Sequence, residues 1–296
     1  MLYPELNTRS LSFTDAQSQE QAITNAIKDV PNTVGVYYFY GDGTEPLYIG
    51  KSIRMRQRLT EHLKASKQTG ELGRQQKFVP QTCVLAWREC LSETHALVLE
   101  NREIKSVFPL FNRAQRRLKK FYSWQFSSDK AEQLELHSFD QKQGVDKLLK
   151  PSYGLYKNAR SAKESIRSIA DHEKLCLQVL GIDKGKGKCF RAQINKCAGA
   201  CAGSESVDEM LNRLMDVLMP MTLEAWPFSE PLLWEEENVW HVFYQWQLYG
   251  VFPYKPDQTE FENAISTDQY VFDKDEYRII RRALKMVYAP EAESLD

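Results

Sequence analysis

The stretch VGVYYFYGDGTEPLYIGKSIRMRQRLTEHL, residues 34–63, places two tyrosines ahead of a run of basic side chains. Tyr37 and Tyr48 fall on two predicted strands, and pairing of those strands would let both phenols point to one face of a hairpin. A phenol has a pKa of about 10, so a tyrosine takes a proton from water only where nearby positive charge lowers that value. The residues that follow provide such charge.

The basic residues begin with Lys51, directly after Gly50, and continue into a predicted helix. Arg54, Arg58 and His62 stand at positions i, i+4 and i+8, which share one helix face. Gly50 lacks a Cβ atom, so it permits a tight turn or the near approach of a phosphate. This face is therefore predicted to hold a phosphodiester and to stabilise charge that develops on it.

A carboxylate for a cation is available in a second predicted helix, which contains ETHALVLENREIK. Glu100 shares an apolar stripe with Ala96, Leu97 and Ile104. A carboxylate on such a stripe is costly unless it is paired or bound to metal. Because Mg²⁺ accepts one carboxylate together with waters and phosphate oxygens, Glu100 is a candidate metal ligand.

The periodicity around these residues predicts a small antiparallel sheet of three strands, at 35–40, 46–49 and 82–89, flanked by helices at 53–66 and 92–105. Ser52 and Ser92 are the expected helix caps. A loosely held arm and a short helix at 22–30 precede the sheet. Downstream we expect a strand at 122–127, a polar linker at 128–146, helices at 161–170, 207–219 and 274–287, and strands rich in Trp and Tyr within 232–249.

Four of the six cysteines stand close together, in the pattern C-x12-C-x7-C-x3-C: Cys176, Cys189, Cys197 and Cys201. In a reducing compartment four such thiols bind metal more often than they form disulfides. No pair has the two-residue spacing of common zinc fingers, and four thiols also suit an iron–sulfur cluster. A metal centre here would hold a basic loop with five candidate DNA contacts: Lys184, Lys186, Lys188, Arg191 and Lys196.

Charge is unevenly distributed along the chain, although the net charge is only -1. Residues 35–122 carry 16 basic against 8 acidic side chains, and residues 147–201 carry 12 against 4. Residues 202–296 carry 7 against 19. A basic body with an acidic end is expected of a nucleic-acid binder whose last part has another task. The sequence shows neither a membrane-spanning run nor a secretion signal, so a cytoplasmic protein without a membrane partner is predicted.

The motif GVY, ten residues, then YIGK, followed by Arg58, Glu100 and Asn112, resembles the GIY-YIG nuclease family and specifically the N-terminal nuclease of UvrC. The resemblance implies one Mg²⁺ or Mn²⁺ bound by Glu100, with Tyr37 or Tyr48 as general base. It also implies that Lys51 and Arg58 contact the phosphate and that Asn112 supports the site. Five further basic residues are candidates for DNA contact because of their charge: Arg54, Arg116, Arg117, Lys119 and Lys120. His62 stands where UvrC usually has tyrosine, and its role is left open between orienting water and binding phosphate.

The cysteine segment also resembles UvrC, which implies a [4Fe-4S] cluster, with Zn²⁺ as the alternative. The expected fold is α+β, with an arm (1–24), a GIY-YIG nuclease domain (25–115), a basic segment and linker (116–150), a Cys-cluster module (151–205) and a mixed α/β acidic C-terminal domain (206–296). The acidic end is a candidate docking surface for a protein partner or, equally, a β-rich cap on the Cys module.

The function that the resemblance implies is an endonuclease that cuts damaged double-stranded DNA on the 3′ side of a lesion, after UvrA and UvrB have marked it. Two alternatives remain at this point. One is a non-catalytic DNA-binding adaptor that senses redox state through its cysteines. The other is a sequence-specific GIY-YIG endonuclease unrelated to repair.

Overall fold

The computed structural model describes residues 2–67, 75–112, 119–145, 148, 150–265 and 271–288. The chain divides into two units, and the first is discontinuous: it joins residues 1–117 to residues 228–269 and 275–296. The second unit comprises residues 118–227 and 270–274. Within the described ranges, no helix has the length and apolar character needed to cross a membrane.

The α+β fold class is confirmed, with antiparallel sheets and helices in both units. The strands are β1 (Asn7–Ser10), β2 (Gly35–Tyr40), β3 (Pro46–Ser52), β4 (Val84–Glu89), β5 (Lys120–Phe126), β6 (Leu134–Asp140), β7 (Tyr153–Tyr156), β8 (Leu232–Glu236), β9 (Val239–Tyr244) and β10 (Gln247–Phe252). The α-helices are α1 (Ala16–Asp29), α2 (Met55–Ser66), α3 (Gln75–Phe78), α4 (Glu93–Val107), α5 (Ala159–His172), α6 (Phe190–Gln193), α7 (Val207–Leu218), α8 (Gln258–Ile265) and α9 (Lys274–Tyr288).

The sheet that contains the β2–β3 hairpin has four strands in the order β1-β4-β2-β3, one more than predicted. The additional strand, β1, comes from the segment expected to be a loose arm, and it pairs antiparallel with β4. Helix α1 begins at Ala16 rather than near residue 22, because Asp15 caps it and accepts the backbone N–H of Ser18. The arm is thus part of the nuclease fold.

The β2–β3 hairpin has the register that places the two predicted catalytic tyrosines on one face. Tyr37 pairs with Gly50, and Phe39 pairs with Tyr48. These side chains pack with α1, α2 and α3 in one core cluster, which includes Phe78. The alternate residues of the sheet, such as Val36 and Tyr38, pack against α4 on the other face. The sheet therefore separates the helix that carries Arg58 from the helix that carries Glu100.

The start of α2 differs from the prediction that Ser52 caps a helix beginning at Ile53. The helix begins two residues later, and its N-cap residue Arg54 makes no capping hydrogen bond through its side chain. Ser52 accepts the backbone N–H of Arg54, while Asn32 Oδ1 accepts the N–H of Gln57 at 3.2 Å. Asn32, which precedes the hairpin, thus accepts one of the backbone N–H groups that are unpaired within the helix at its N-terminus.

The second unit begins with a sheet in the order β6-β5-β7. The prediction of a linker at 128–146 was wrong where β6 forms. Most side chains of this strand are polar, but Leu134 and Phe139 are buried. Helices α5 and α7 share a core with Cys176 and Cys197. This unit extends to residue 227, so α7 lies with the cysteines and not with the acidic C-terminal segment as predicted.

The acidic C-terminal segment forms a β10-β9-β8 sheet with α8 and most of α9, and it belongs to the first unit. The segment is β-rich, as one of the two alternatives expected, and it groups with the nuclease part of the chain. Trp246 is buried and its ring contacts Tyr277 of α9 at a centroid distance of 5.0 Å. Trp226, Trp234 and Trp240 are partly exposed.

Candidate active site

Tyr37 lies at the centre of the site, in the middle of β2, and its ring covers Gly50 on the paired strand. A Cβ atom at residue 50 would stand 2.5 Å from the Tyr37 hydroxyl oxygen and 2.6 Å from the adjoining ring carbon. The tyrosine is 1% exposed, so its ring has no free space into which to move. Glycine at position 50 is required because a phenol occupies the place of its side chain.

The Tyr37 hydroxyl lies 2.7 Å from His62 Nε2, one turn beyond Arg58 on α2. His62 is buried, and this desolvation, helped by the charge of Arg58, lowers its pKa to about 4. The imidazole is therefore neutral at pH 7 and can accept the phenol hydrogen on Nε2. His62 thus contacts the tyrosine directly, a role that neither of the two sequence-based alternatives included.

Arg58 brings the positive charge of the site to Tyr37. Its guanidinium donates to Glu61 Oε2 at 2.8 Å and lies near enough to Tyr37 for its charge to act on the phenol. Burial raises the pKa of Tyr37 above its ordinary value, and the field of Arg58 opposes that shift. Arg54, predicted to share this face, precedes the helix and is exposed. The predicted three-residue basic face therefore consists of Arg58 and the neutral His62.

Glu100 reaches the same place from the other side of the sheet. Its Oε1 accepts the backbone N–H of Lys51 at 3.0 Å, immediately after Gly50. Desolvation raises the pKa of Glu100 to about 7, although the Lys51 N–H and the Lys51 charge oppose the shift. The negative charge of Glu100 also acts on Tyr37 and raises the pKa of that phenol further. The carboxylate, the phenol and the guanidinium therefore meet around residues 50 and 51.

Lys51 and Tyr48 have their own partners near this point. The Lys51 ammonium forms an ion pair with Glu93, the first residue of α4. The Tyr48 ring is partly buried and stacks on Phe78, with centroids 4.6 Å apart and an interplanar angle of 2°. The Tyr48 ring also lies 6.4 Å from the Tyr37 ring, so both tyrosines belong to one aromatic cluster.

Asn112 supports β3 rather than the phenols. Its Oδ1 accepts the N–H of Ile49 at 2.9 Å, and its Nδ2 donates to the Ile49 carbonyl at 2.8 Å. The N–H of Phe111 donates to the Leu47 carbonyl at 3.0 Å. Asn112 thus pairs with the outer edge of β3 as another strand would, and fixes the residues just before Gly50.

Helix α4 is held on the side away from the sheet by the C-terminal segment. Arg102 forms a bidentate pair with Glu276 of α9, at 3.0 and 2.7 Å, and also donates to the Leu248 carbonyl at 2.8 Å. Lys105 pairs with Asp275 at 2.6 Å. These four charged side chains position the helix that carries Glu100, and the sequence analysis missed them. Their only signal was two basic residues on α4 and two acidic residues in the first turn of α9.

The four predicted cysteines come together in the second unit, with their Sγ atoms all within 4.8 Å of one another. Cys176 and Cys197 are buried, while Cys189 and Cys201 are partly exposed. Backbone N–H groups point at two of the sulfurs: that of Cys189 at Cys201 Sγ and that of Gly199 at Cys197 Sγ, each at 3.3 Å. Such donors stabilise thiolates, so the set has the chemistry of a metal site.

The remaining DNA-contact candidates fall into three groups. Arg191 and Lys196 both pair with Asp171, at 2.6 and 3.1 Å, so their charges are partly used within the protein. Five lysines are exposed: Lys119, Lys120, Lys184, Lys186 and Lys188. Arg116 and Arg117 lie outside the described residues.

Comparison with known proteins covers both units. The model of the UvrC-like GIY-YIG domain matches residues 33–113, the middle domain of UvrC/Cho excinucleases matches residues 121–219, and the excinuclease Cho C-terminal domain matches residues 231–296. Excinuclease Cho of Escherichia coli O6:H1 is 30% identical over 94% of this chain and 92% of its own length. Excinuclease Cho of Salmonella typhi is 32% identical over 87% of this chain and 85% of its own length.

More distant similarity reaches the longer UvrC proteins. The UvrABC system protein C of Neisseria meningitidis is 25% identical over 66% of this chain and 31% of its own length. The crystal structure of the GIY-YIG N-terminal endonuclease domain of UvrC from Thermotoga maritima bound to magnesium is 29% identical and covers 30% of this chain and 94% of that chain, with a TM-score of 0.27.

The matched nuclease domain defines an endonuclease of the GIY-YIG class. Its middle and C-terminal domains are those of excision nucleases. The chain belongs to the Cho excinuclease family and is a DNA endonuclease of excision repair. The predicted family and enzyme class are confirmed, and membership contradicts both the non-catalytic adaptor and the unrelated sequence-specific enzyme.

Proposed function

We propose that this endonuclease uses one divalent metal ion to hydrolyse a single phosphodiester on the 3′ side of a DNA lesion, after UvrA and UvrB have marked the damage. The observation that carries the proposal is the meeting of Tyr37, Arg58 and Glu100 around residues 50 and 51. The described residues contain one such centre, which supports one cut. The similarity to a protein named as part of a UvrABC system supports the two partners, and repair of the chromosome would place the enzyme in the cytoplasm.

Glu100 is proposed to hold the metal, Mg²⁺ or Mn²⁺. Its carboxylate accepts one backbone hydrogen bond and, among the described residues, forms no ion pair with a cationic side chain. A desolvated carboxylate of this kind fits a hard cation that keeps most of its waters and takes its other ligands from phosphate oxygens. When bound, such an ion would supply Lewis-acid stabilisation of the scissile phosphate.

Arg58 and Lys51 are proposed to receive the phosphate. Both cations now pair with exposed glutamates, Glu61 and Glu93 respectively, and a phosphate can replace these partners. The guanidinium of Arg58 then lies where negative charge develops during in-line attack. Both glutamates are about half exposed, so the ion pairs that they form are weak. Replacing these ion pairs by contacts to a phosphate therefore costs little free energy.

Tyr37 is proposed as the general base, with His62 as the group that takes its proton. As the attacking water transfers a proton to the Tyr37 oxygen, the phenol hydrogen passes to His62 Nε2, 2.7 Å away. The tyrosine thus never carries a full negative charge, which burial makes unfavourable. The Tyr48 ring packs edge-on against the His62 ring, at a centroid distance of 5.6 Å, and this favours Tyr37 of the two phenols.

The test is nicking of a duplex with a single lesion, with UvrA, UvrB and Mg²⁺ present, by variants that each lack one phenol oxygen. Tyr37→Phe should reduce the cleavage rate by about 10²–10⁴-fold, the usual contribution of a general base. Tyr40→Phe is the matched control, since Tyr40 lies on the same strand and stacks on Tyr38 of the opposite face. Equal rates for Tyr37→Phe and the control would refute the assignment.

The four cysteines are proposed to hold a [4Fe-4S] cluster with a structural role, on the basis of membership in this family. Zn²⁺ is the second candidate, and the spacing of the sulfurs favours it. A tetrahedral ion with Zn–S bonds of about 2.3 Å holds its sulfurs about 3.8 Å apart, whereas a cubane holds them farther apart. Elemental analysis and the visible absorption of protein purified without oxygen separate the two.

The acidic C-terminal segment remains the proposed surface for UvrB, because its charge repels DNA. The acids that pair with α4 are not part of that surface, since Glu276 and Asp275 are already bound to basic side chains. Neutralising the exposed Glu235 and Glu237 should weaken a pull-down of UvrB without changing DNA affinity. An unchanged pull-down would remove this surface from the proposal.

A further inference from the structure

The loop at 183–188 of the second unit is held in one conformation by its own chain. Gln178 Nε2 donates to the Gly187 carbonyl at 2.9 Å, and a Cβ at Gly185 would stand 2.5 Å from Gln178 Oε1. Gly187 has φ +70°, which glycine adopts without strain. The loop therefore has a defined shape, and Lys186 between the two glycines is exposed to solvent.

Positive charge on this loop is not neutralised by nearby acids. Asp183 is paired with Arg167 at 2.6 Å, and Asp171 is paired with Arg191 and Lys196. The lysines at 184, 186 and 188 are exposed and, in the part of the chain that the structure describes, form no ion pair. Three solvated ammonium groups spaced two residues apart therefore give the loop a net positive charge that is open to an anionic partner.

An aromatic ring stands beside these lysines. Phe190, two residues after Lys188, is 69% exposed, and Ile194 on the next turn is 47% exposed. An exposed phenylalanine in a basic surface is unfavourable in water and has no role in the core of this unit. Proteins that bind distorted or single-stranded DNA combine these two features: cations for the phosphates and an aromatic face for an unstacked base.

We propose that the loop 184–194 recognises distorted DNA, with Lys184, Lys186 and Lys188 on backbone phosphates and the Phe190 ring stacked on a base that the lesion has unstacked. The positive charge of the loop favours DNA over a protein partner. This inference rests on the proposed function, which it deepens by giving the chain its own contact with the lesion-induced distortion, separate from the cutting chemistry of Glu100.

The test measures the affinity of the full chain for two duplexes, one intact and one with a short mismatched bubble, as a function of salt. Replacing all three lysines by alanine should lower the slope of log affinity against log salt by about 2.7, at roughly 0.9 for each phosphate that the loop no longer neutralises. Phe190→Leu keeps an apolar side chain but removes the aromatic face. It should leave the slope unchanged and weaken binding to the bubble about tenfold.

Phe190→Trp should restore the preference for the bubble, and Met219→Ala, which alters another exposed apolar residue of the same unit, should not change it. Metal content of each variant reports whether the neighbouring Cys site is intact. A Phe190→Leu protein that binds both duplexes as the unmodified protein does, or that weakens only in its affinity for UvrB, would overturn the inference. The Glu100→Gln variant should lose nicking activity but keep its preference for the bubble. The proposed function and this inference can therefore be tested independently of each other.

Discussion

Replacing Gly50 by alanine tests whether the phenol of Tyr37 is held where the chemistry needs it. The new Cβ would stand 2.5 Å from the hydroxyl oxygen, against the roughly 3.5–4.0 Å at which uncharged atoms normally pack. The ring therefore has to move by about 1 Å, into a core where the tyrosine is 1% exposed. Overpacking of this kind costs about 1–3 kcal/mol.

The same movement withdraws the phenol from His62 and Arg58. A misplacement of about 1 Å at a catalytic group reduces rates about a hundredfold. We therefore expect Gly50→Ala to lower the melting temperature by roughly 2–10 °C, at a few degrees for each kcal/mol in a unit of this size, and to reduce Mg²⁺-dependent nicking about a hundredfold.

The assays are scanning calorimetry of the full chain and nicking of a single-lesion duplex. Gly43→Ala is the matched control, because Gly43 lies in the turn of the same hairpin and a Cβ there meets nothing within 4 Å. That variant should keep both the melting temperature and the cleavage rate. If Gly50→Ala behaved like Gly43→Ala, the ring would not occupy this position and the described site would be wrong.

The contacts of the site and of the cysteines give three further predictions. Because the pKa of Glu100 is raised to about 7, its carboxylate becomes protonated between pH 8 and pH 6, and Mg²⁺ affinity measured by calorimetric titration should fall about tenfold over that range. A constant affinity would contradict the assignment of Glu100 as metal ligand. Glu276→Gln removes the charge of the carboxylate that pairs with Arg102. Because the two side chains are 16% and 4% exposed, the free energy of unfolding of the first unit in urea should fall by about 3–5 kcal/mol; a fall below about 1 kcal/mol would show that the pair does not hold α4. Cys197→Ser should remove bound metal in elemental analysis and lower the melting temperature of the second unit, and full metal content in that variant would exclude the four-sulfur site.

Several features that depend on neighbours in the sequence were predicted correctly, although the starts of α1 and α2 were not. The alternation of β2 and β3 places Tyr37, Tyr48 and Gly50 on one face because side chains of a strand alternate with period two. The position of Glu100 followed from the helical period of its apolar neighbours, and Ser92 caps α4 as expected, accepting the N–H of His95. Each of these sequence patterns lies in the same helix or hairpin as the residue that it concerns.

Features that depend on distant parts of the chain could not be predicted. Strand β1 is polar, and only its pairing with β4 makes it a strand. Arg102 and Glu276 are 174 positions apart, so no local pattern indicates that α9 holds α4. The contact between Tyr37 and His62 depends on how α2 packs against the sheet, which the helical pattern of α2 alone does not determine. Such pairs are specified by the whole fold.

The role of Glu100 as metal ligand is decided by metal-dependent cleavage of a single-lesion duplex by the Glu100→Gln variant, with DNA affinity measured on the same preparation. Glutamine keeps the size of the side chain and its capacity to accept the Lys51 N–H, but removes the negative charge that a divalent ion requires. We expect cleavage to be abolished at every Mg²⁺ concentration while DNA binding stays within a factor of about two. A Glu100→Gln enzyme that nicks the duplex at the rate of the unmodified protein would contradict the assignment of Glu100 as the metal ligand.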